Sequence, residues 1–254
     1  MTGEQEARAF ALIGDRYHNS DYIRTALTRT LVEGIGLAVD FSDDIGLLNE
    51  QHLAQYSMLI TFRDGMIWPD GYGPGASYPG YDGRTLRSEP EFEQQPSRMV
   101  YWMSPQQGRA VHQFVHSGGA ALLYHNSTYI AASDGDFRRV LGAATEGHPP
   151  VRPYRVEIVN EDHPITRDVR SFVVTDEQHY MVYDADPDHV LAYSVNEQGD
   201  TYKELGARCQ AVWAYDYGEG RVCYMSPGHT IEALWNAEYV KMQQNAARWV
   251  LRQC

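Results

Sequence analysis

Apolar residues along the chain gather in short runs separated by turn residues. Phe10-Ala11-Leu12-Ile13, Leu37 to Phe41 and Ser57 to Phe62 are too short for helices and read as strands buried on both faces. Between the first two, Asp21 to Glu33 predicts a helix with Ser20 as N-cap and Gly34 just past its end, and Asn49 to Gln55 a shorter helical stretch. The order is βαβ followed by a third strand, one half of a doubly wound parallel sheet with right-handed connections. Ser104, Pro105 and Gln107 make a capping-box start for a helix that ends at Gly118, with Val111, Phe114 and Val115 on its core face. The Gly118-Gly119 turn then launches Ala120 to Tyr124, a continuous apolar run that stops at His125-Asn126-Ser127.

After a short helix from Phe137 to Leu141 the chain turns β-rich: Tyr154 to Val159, Phe172 to Val174, Val190 to Ser194, Ala211 to Tyr215 and Arg221 to Met225. This predicts antiparallel pieces in the second half of the sheet. A last helix, Ala237 to Arg252, presents Val240, Ala247, Val250 and Leu251 as its apolar face. The expected class is α/β: a doubly wound, mostly parallel sheet flanked by helices, with extra antiparallel strands toward the C-terminus. We expect one domain over 1–254, interrupted at about 63–103 by a Gly/Pro/Tyr-rich segment. That segment follows a strand's carboxyl end, so it reads as a lid or binding loop, with Trp68 able to stack on a sugar ring, or as a loop packed down by its own aromatics. Its aromatics would also suit a homo-oligomer contact.

Charge narrows the partners. Lys and Arg number 21 against 34 Asp and Glu, a net charge of -13, which would repel a phosphate backbone and argues against nucleic acid. No apolar stretch reaches the roughly 18 to 20 residues of a spanning helix, and Met1 to Glu6 has no secretory pattern, so the expectation is a cytoplasmic protein with no membrane partner. Cys209, Cys223 and Cys254 have no CxxC spacing, which argues against a disulfide framework or a thiolate zinc site. Neither Gly71-Tyr72-Gly73-Pro74-Gly75 nor Gly218-Glu219-Gly220 has the spacing of a phosphate cradle, so no NAD or ATP is expected.

Ionisable residues recur where strands end. Open α/β sheets bind ligands outside the carboxyl ends of their strands, which makes His125 a catalytic candidate. Asp176 and Glu177 follow the Phe172 run, and His229 follows the Pro227-Gly228 turn after the Met225 run; these are candidates too. A shared pocket for Asp176 and Glu177 would raise one pKa through like-charge repulsion and supply a proton donor or base near neutrality. His18 and Asn19 in the first strand-to-helix loop, Asn126, Tyr180, His148 and Trp68 are candidates for substrate binding. His112 and His116 have the i,i+4 spacing of zinc ligands but lie beside the core stripe and lack an HExxH glutamate, so they read as a solvated face. His163 before Pro164 reads as a chain-direction device. His179 has no assigned role, since alternation sends it to the side opposite Gln178 and Tyr180.

Taken in order, His18-Asn19, Ser117-Gly118-Gly119 to His125, Asp162-His163-Pro164-Ile165-Thr166, Asp176-Glu177 to Tyr180, Trp213 with Gly218 to Val222, Pro227-Gly228-His229 and Asn245-Ala246 to Trp249 resemble the trehalose-utilisation (ThuA-like) family. The resemblance implies a fold like the class I glutamine amidotransferases and a place in disaccharide or keto-sugar catabolism. Those relatives carry a cysteine nucleophile in a strand-to-helix elbow. Here the corresponding strand ends Tyr124-His125-Asn126-Ser127 with no cysteine and no flanking glycines, so thioester-based glutamine hydrolysis is excluded. Three readings stay open: an acid/base enzyme acting on a disaccharide or keto-sugar by isomerisation, elimination or hydrolysis; a non-catalytic sugar-binding or regulatory protein; and a metal-dependent hydrolase holding zinc or manganese through His125, Glu177 and His229. All three take a small carbohydrate as partner.

Overall fold

In the computed structural model, which describes residues 7–71, 98–131 and 135–254, the apolar runs pair into one large sheet. The first half of the chain supplies β1 (Arg8–Ile13), α1 (Ser20–Leu27, continued by a π-helical turn over Thr28–Glu33), β2 (Ala38–Ser42), α2 (Glu50–Leu53), β3 (Met58–Phe62), β4 (Met66–Ile67), β5 (Val100–Tyr101), α3 (Pro105–His116) and β6 (Ala120–Tyr124). The second half supplies α4 (Ser127–Ile130), α5 (Asp136–Leu141), β7 (Ala143–Gly147), β8 (Arg152–Ile158), β9 (Phe172–Asp176) and β10 (Tyr180–Tyr183). It closes with β11 (Val190–Val195), β12 (Arg208–Tyr217), β13 (Gly220–Met225), α6 (Ile231–Leu234) and α7 (Ala237–Val250).

Nine of these strands share a sheet in the order β2-β1-β3-β6-β13-β12-β11-β8-β9. Neighbours from β2 to β13 run parallel, and every pairing beyond β13 is antiparallel, the mixed α/β sheet that the two halves of the sequence predict. Alternation divides its apolar residues between two cores. Ala9, Ala11 and Ile13 join Ile23, Leu27, Met242 and Ala246 on one face, while Phe10 and Leu12 join Val111, Val115, Trp213 and Tyr224 on the other.

The chain leaves β1 for β2 on one side and returns to β3 on the other. The loops after β1 and β3 therefore diverge, leaving a crevice at the carboxyl edge where β6 and β13 also end.

Some local expectations change. The cap of α1 is Asn19, whose side chain accepts the Asp21 N–H, because Ser20 is already helical. The buried face of α7 is Tyr239, Met242, Gln243, Ala246, Ala247, Trp249 and Val250, with Val240 and Leu251 only half-buried. Polar Tyr239 and Gln243 can go inside because each donates to a buried carbonyl, of Pro227 (2.8 Å) and Leu234 (2.9 Å). Strands β7 and β10, too short to stand out in the sequence, form a separate antiparallel ribbon. Of the predicted lid, residues 63–71 and 98–103 are held by the β4–β5 pair, and most of the Tyr-rich stretch lies outside the described residues. Among the described residues no helix is long and apolar enough to cross a membrane.

Leu122 is fully buried at the centre of β6, the strand that carries His125 to the crevice. Leu122→Ala is expected to lower unfolding free energy by about 2 to 5 kcal/mol, read from urea denaturation; a loss below about 1 kcal/mol would contradict this packing.

Candidate functional site

At the carboxyl edge a cavity of about 290 Å3 is lined by Tyr17, His18, Asp64, Met66, Asn126, Tyr129, His148, Glu177, His179 and His229. A larger groove of about 590 Å3 at the opposite edge, between α2, α3 and the end of α7, contains no histidine or aspartate.

His125 sits where β6 turns into α4, with φ 43°, a left-handed conformation rarely held by a side chain other than Gly, Asn or Asp. The surroundings fix it there. Its N–H donates to the Met225 carbonyl, and its own carbonyl accepts the Tyr224 hydroxyl (2.6 Å). Gly228 makes room: a Cβ there would stand 2.7 Å from both His125 Cβ and Phe62 Cζ. The strand-to-helix turn after β6 thus presents an imidazole at its tip.

The ring nitrogens of the cluster are assigned by their partners. His125 Nδ1 lies 2.7 Å from the Ser226 carbonyl, which only accepts, so Nδ1 carries the hydrogen. Its Nε2 is buried without a hydrogen bond, 3.4 Å from Glu177 Oε2. His18 Nδ1 faces Asp15 at 3.0 Å, turning its Nε2 toward His229 Nδ1 at 3.1 Å. His229 Nδ1 is also 3.2 Å from Glu177 Oε2. His179 Nε2 (3.3 Å) and His148 Nε2 (3.5 Å) approach the same oxygen from the far side.

Glu177 Oε2 is therefore the hub of four imidazoles, and the ligand atoms of His18, His125, Glu177 and His229 all lie within 4.8 Å of one another. Lone pairs facing each other at these distances repel unless a cation lies between them, either protons or a metal ion.

The pKa pattern differs from the expected one. Burial would raise Glu177, but the imidazoles of His125, His179 and His229 beside it outweigh burial and hold the carboxyl far below the usual range. Burial and the neighbouring His125 keep His179 well below an ordinary imidazole. His229 is lowered by burial but raised further by the Glu177 carboxylate, for a net upward shift. Asp176 does not line the cavity with Glu177, so the shared pocket that would raise one of the two is not formed.

Asp176 does not face the cavity. It is fully buried and accepts the N–H groups of Glu177 (2.7 Å), Gly228 (3.3 Å), His229 (3.0 Å) and Thr230 (3.2 Å), so it ties the turn after β13 to the end of β9. Asn19 is an exposed helix cap, and Tyr180 turns away to donate to the Gly206 carbonyl. Trp68 stands at the rim, edge-on to Tyr17 with the Arg16 guanidinium over its ring. His18, Asn126 and His148 do line the cavity. His179 points in while Gln178 bonds Arg152, as alternation requires. Tyr17, Asp64 and Tyr129 were not singled out in the sequence, although Asp64 closely follows a strand end, the position that marked His125. His112 bonds the Tyr217 hydroxyl outside the site, and His163 packs on Trp249, with burial and Arg221 lowering it to about 4.

A family model described as trehalose utilisation matches residues 96–250. No curated protein matches the sequence. Among solved structures, a ThuA-like protein from Bacteroides uniformis is similar over 98% of this chain and 93% of its own, at 18% identity and TM-score 0.65. One from Parabacteroides merdae is similar over 97% and 90%, at 15% identity and TM-score 0.68. The β-galactosidase of Bacillus circulans matches 97% of this chain with 30% of its own length, at 14% identity and TM-score 0.53. At these identities the structural likeness is one of fold.

Asp176→Ala would leave those four buried or half-buried N–H groups without their acceptor. It is expected to cost about 3 kcal/mol or more in chemical denaturation, and a change below about 1 kcal/mol would show that another acceptor replaces it.

Proposed function

This chain belongs to the trehalose-utilisation (ThuA) family, and from that premise we propose that it is a divalent-metal enzyme acting on a small carbohydrate, a disaccharide or keto-sugar derivative. The reading rests on one observation: three imidazole nitrogens and one carboxylate oxygen converge, while the far nitrogens of His18 and His125 are tied to Asp15 and Ser226. Metal-ligating histidines are oriented in this way, the second nitrogen bonded to a carboxylate or carbonyl. Bonds of about 2.0 to 2.2 Å put neighbouring ligands of a tetrahedral ion about 3.3 to 3.6 Å apart. The contacts at 3.1, 3.2 and 3.4 Å fall close to that range. His18, His125, Glu177 and His229 would hold zinc or manganese, whose ligand preferences include imidazole and carboxylate.

Such an ion supplies a Lewis acid for a carbonyl or lowers the pKa of bound water. The chain's own groups do the rest. Tyr17 and Trp68 offer aromatic edges at the mouth, and Asn126, Tyr129 and His148 offer polar contacts inside. The turn after β6 offers an imidazole and no thiol for glutamine hydrolysis, and burial pushes the Cys209 and Cys223 thiols up, Cys209 to about 12.

Purified protein is expected to carry about one zinc or manganese per chain by elemental analysis, lost in His125→Ala and Glu177→Gln; Asp15→Asn should weaken binding about 10- to 100-fold. Metal-free wild type with an unchanged thermal midpoint on adding either ion would defeat the proposal.

The two forms should also respond oppositely to pH. Without metal, the raised His229 contributes stability that is complete below about 6.5 and lost as pH rises through its folded value; the lowered His179 contributes stability that is lost as pH falls below about 6.5. The chelated protein should therefore lose thermal stability as pH rises above about 6.5, whereas metal binding, which releases protons, should stabilise more strongly over that same range.

A further inference from the structure

Glu177 is committed to the histidines, yet the cavity has a second carboxylate. Asp64 follows β3, is 1% exposed and lines the same cavity. Its backbone is pinned on both sides: the N–H donates to Asp15 Oδ2 (3.0 Å) and the carbonyl accepts the Trp102 indole N–H (2.7 Å). Its Oδ1 accepts the Met66 N–H at 2.9 Å. Its Oδ2 is buried and has no hydrogen-bond partner among the described residues. An ionised oxygen left so would be costly, so this carboxyl is suited to carry a proton.

Asp15, beside it, is in the opposite situation. It accepts the N–H groups of Tyr17, His18 and Asp64, the His18 ring and the Asn126 amide. Burial alone would raise Asp15, but His18 and the backbone donors bring it below its usual value. Asp64 is pushed up to about 7 by burial and then by the Asp15 charge, with the Met66 N–H and Arg63 offsetting part. Tyr129, from α4, is the further titratable group that feels Asp64, and it stays a neutral phenol. When two carboxylates are separated this way by their surroundings, one remains a fixed charge and the other is free to exchange protons near neutrality.

We propose that Asp64 is the proton-transfer residue of this site, its cavity-lining carboxyl taking the proton from the carbon beside the carbonyl of a sugar ketone. The C–H electron pair becomes the new C=C bond, the carbonyl π pair moves onto its oxygen, and the proton on Asp64 exchanges with solvent before a proton is returned to carbon. No other reactant is consumed. This inference rests on the carbohydrate reading above, and two measurements separate the two.

The first follows the carboxyl carbons of aspartate-labelled, zinc-loaded protein by 13C NMR against pH, with Asp64→Asn and Asp64→Glu identifying the resonance. Asp64 should titrate near neutrality; titration in the ordinary carboxylate range would overturn the proposal whatever the substrate. The second incubates zinc-loaded protein with 3-keto-trehalose in D2O and reads deuterium entering beside the ketone. Wild type should exchange, Asp64→Asn should lose about 100-fold or more with zinc content and thermal midpoint kept, and Asp64→Glu should retain part of the rate. Wild-type exchange in Asp64→Asn would overturn the assignment. No exchange in zinc-loaded wild type would count against the keto-sugar reading, leaving the titration to decide for or against Asp64.

Discussion

A single carboxylate oxygen organises this site. Glu177 Oε2 has imidazole nitrogens of His125, His148, His179 and His229 around it at 3.2 to 3.5 Å. A buried charge is tolerable only when it is paired, and so many rings converging on one oxygen is tolerable only with a cation among them. Outer contacts hold the convergence: Asp15 on His18, the Ser226 carbonyl on His125, and Asp176 on the His229 backbone. The ring positions are set by groups that do not face the cavity, the usual arrangement for a preorganised binding site.

The sheet explains why such distant residues meet. β1, β3, β6 and β13 run parallel, so the residues after them emerge at one edge, and the reversal in strand order opens the crevice between the first two loops. β9 lies at the far side of the same sheet. Its end is brought back because Asp176 accepts N–H groups from the turn after β13, which leaves Glu177 beside His229. Close approach matters as much as charge, since Gly228 lets that turn pack onto His125 where any Cβ would collide.

The turn at the end of β6 sets the chemistry at the tip of the crevice. The strand, the left-handed φ and the short helix that follows together present an imidazole there. With no thiolate, Glu177 is held ionised by its histidines and Asp64 is pushed toward neutrality by burial beside Asp15. The same functional group is therefore set in two different states, separated by the donors and charges each carboxyl finds.

Much of this was legible in the linear order of residues. Runs such as Phe10 to Ile13 and Ala120 to Tyr124 predict buried parallel strands because only a strand covered on both faces tolerates unbroken apolar sequence, and the capping box at Ser104 fixes a helix start because its hydrogen bonds are local. The same logic of strand ends singled out His125, Glu177 and His229, which the structure brings together. It could not separate Glu177 from Asp176, one residue apart, because which carboxylate faces inward depends on N–H groups some fifty residues away. Nor could it reveal that Tyr180 turns outward to Gly206, or that Asn19 is used up as a cap. Sequence alone determined the elements and the list of groups available for chemistry, since these follow from periodicity and local bonding. Tertiary structure alone decided which groups share the cavity and how each is charged, because burial and long-range hydrogen bonds exist only once the strand ends have met.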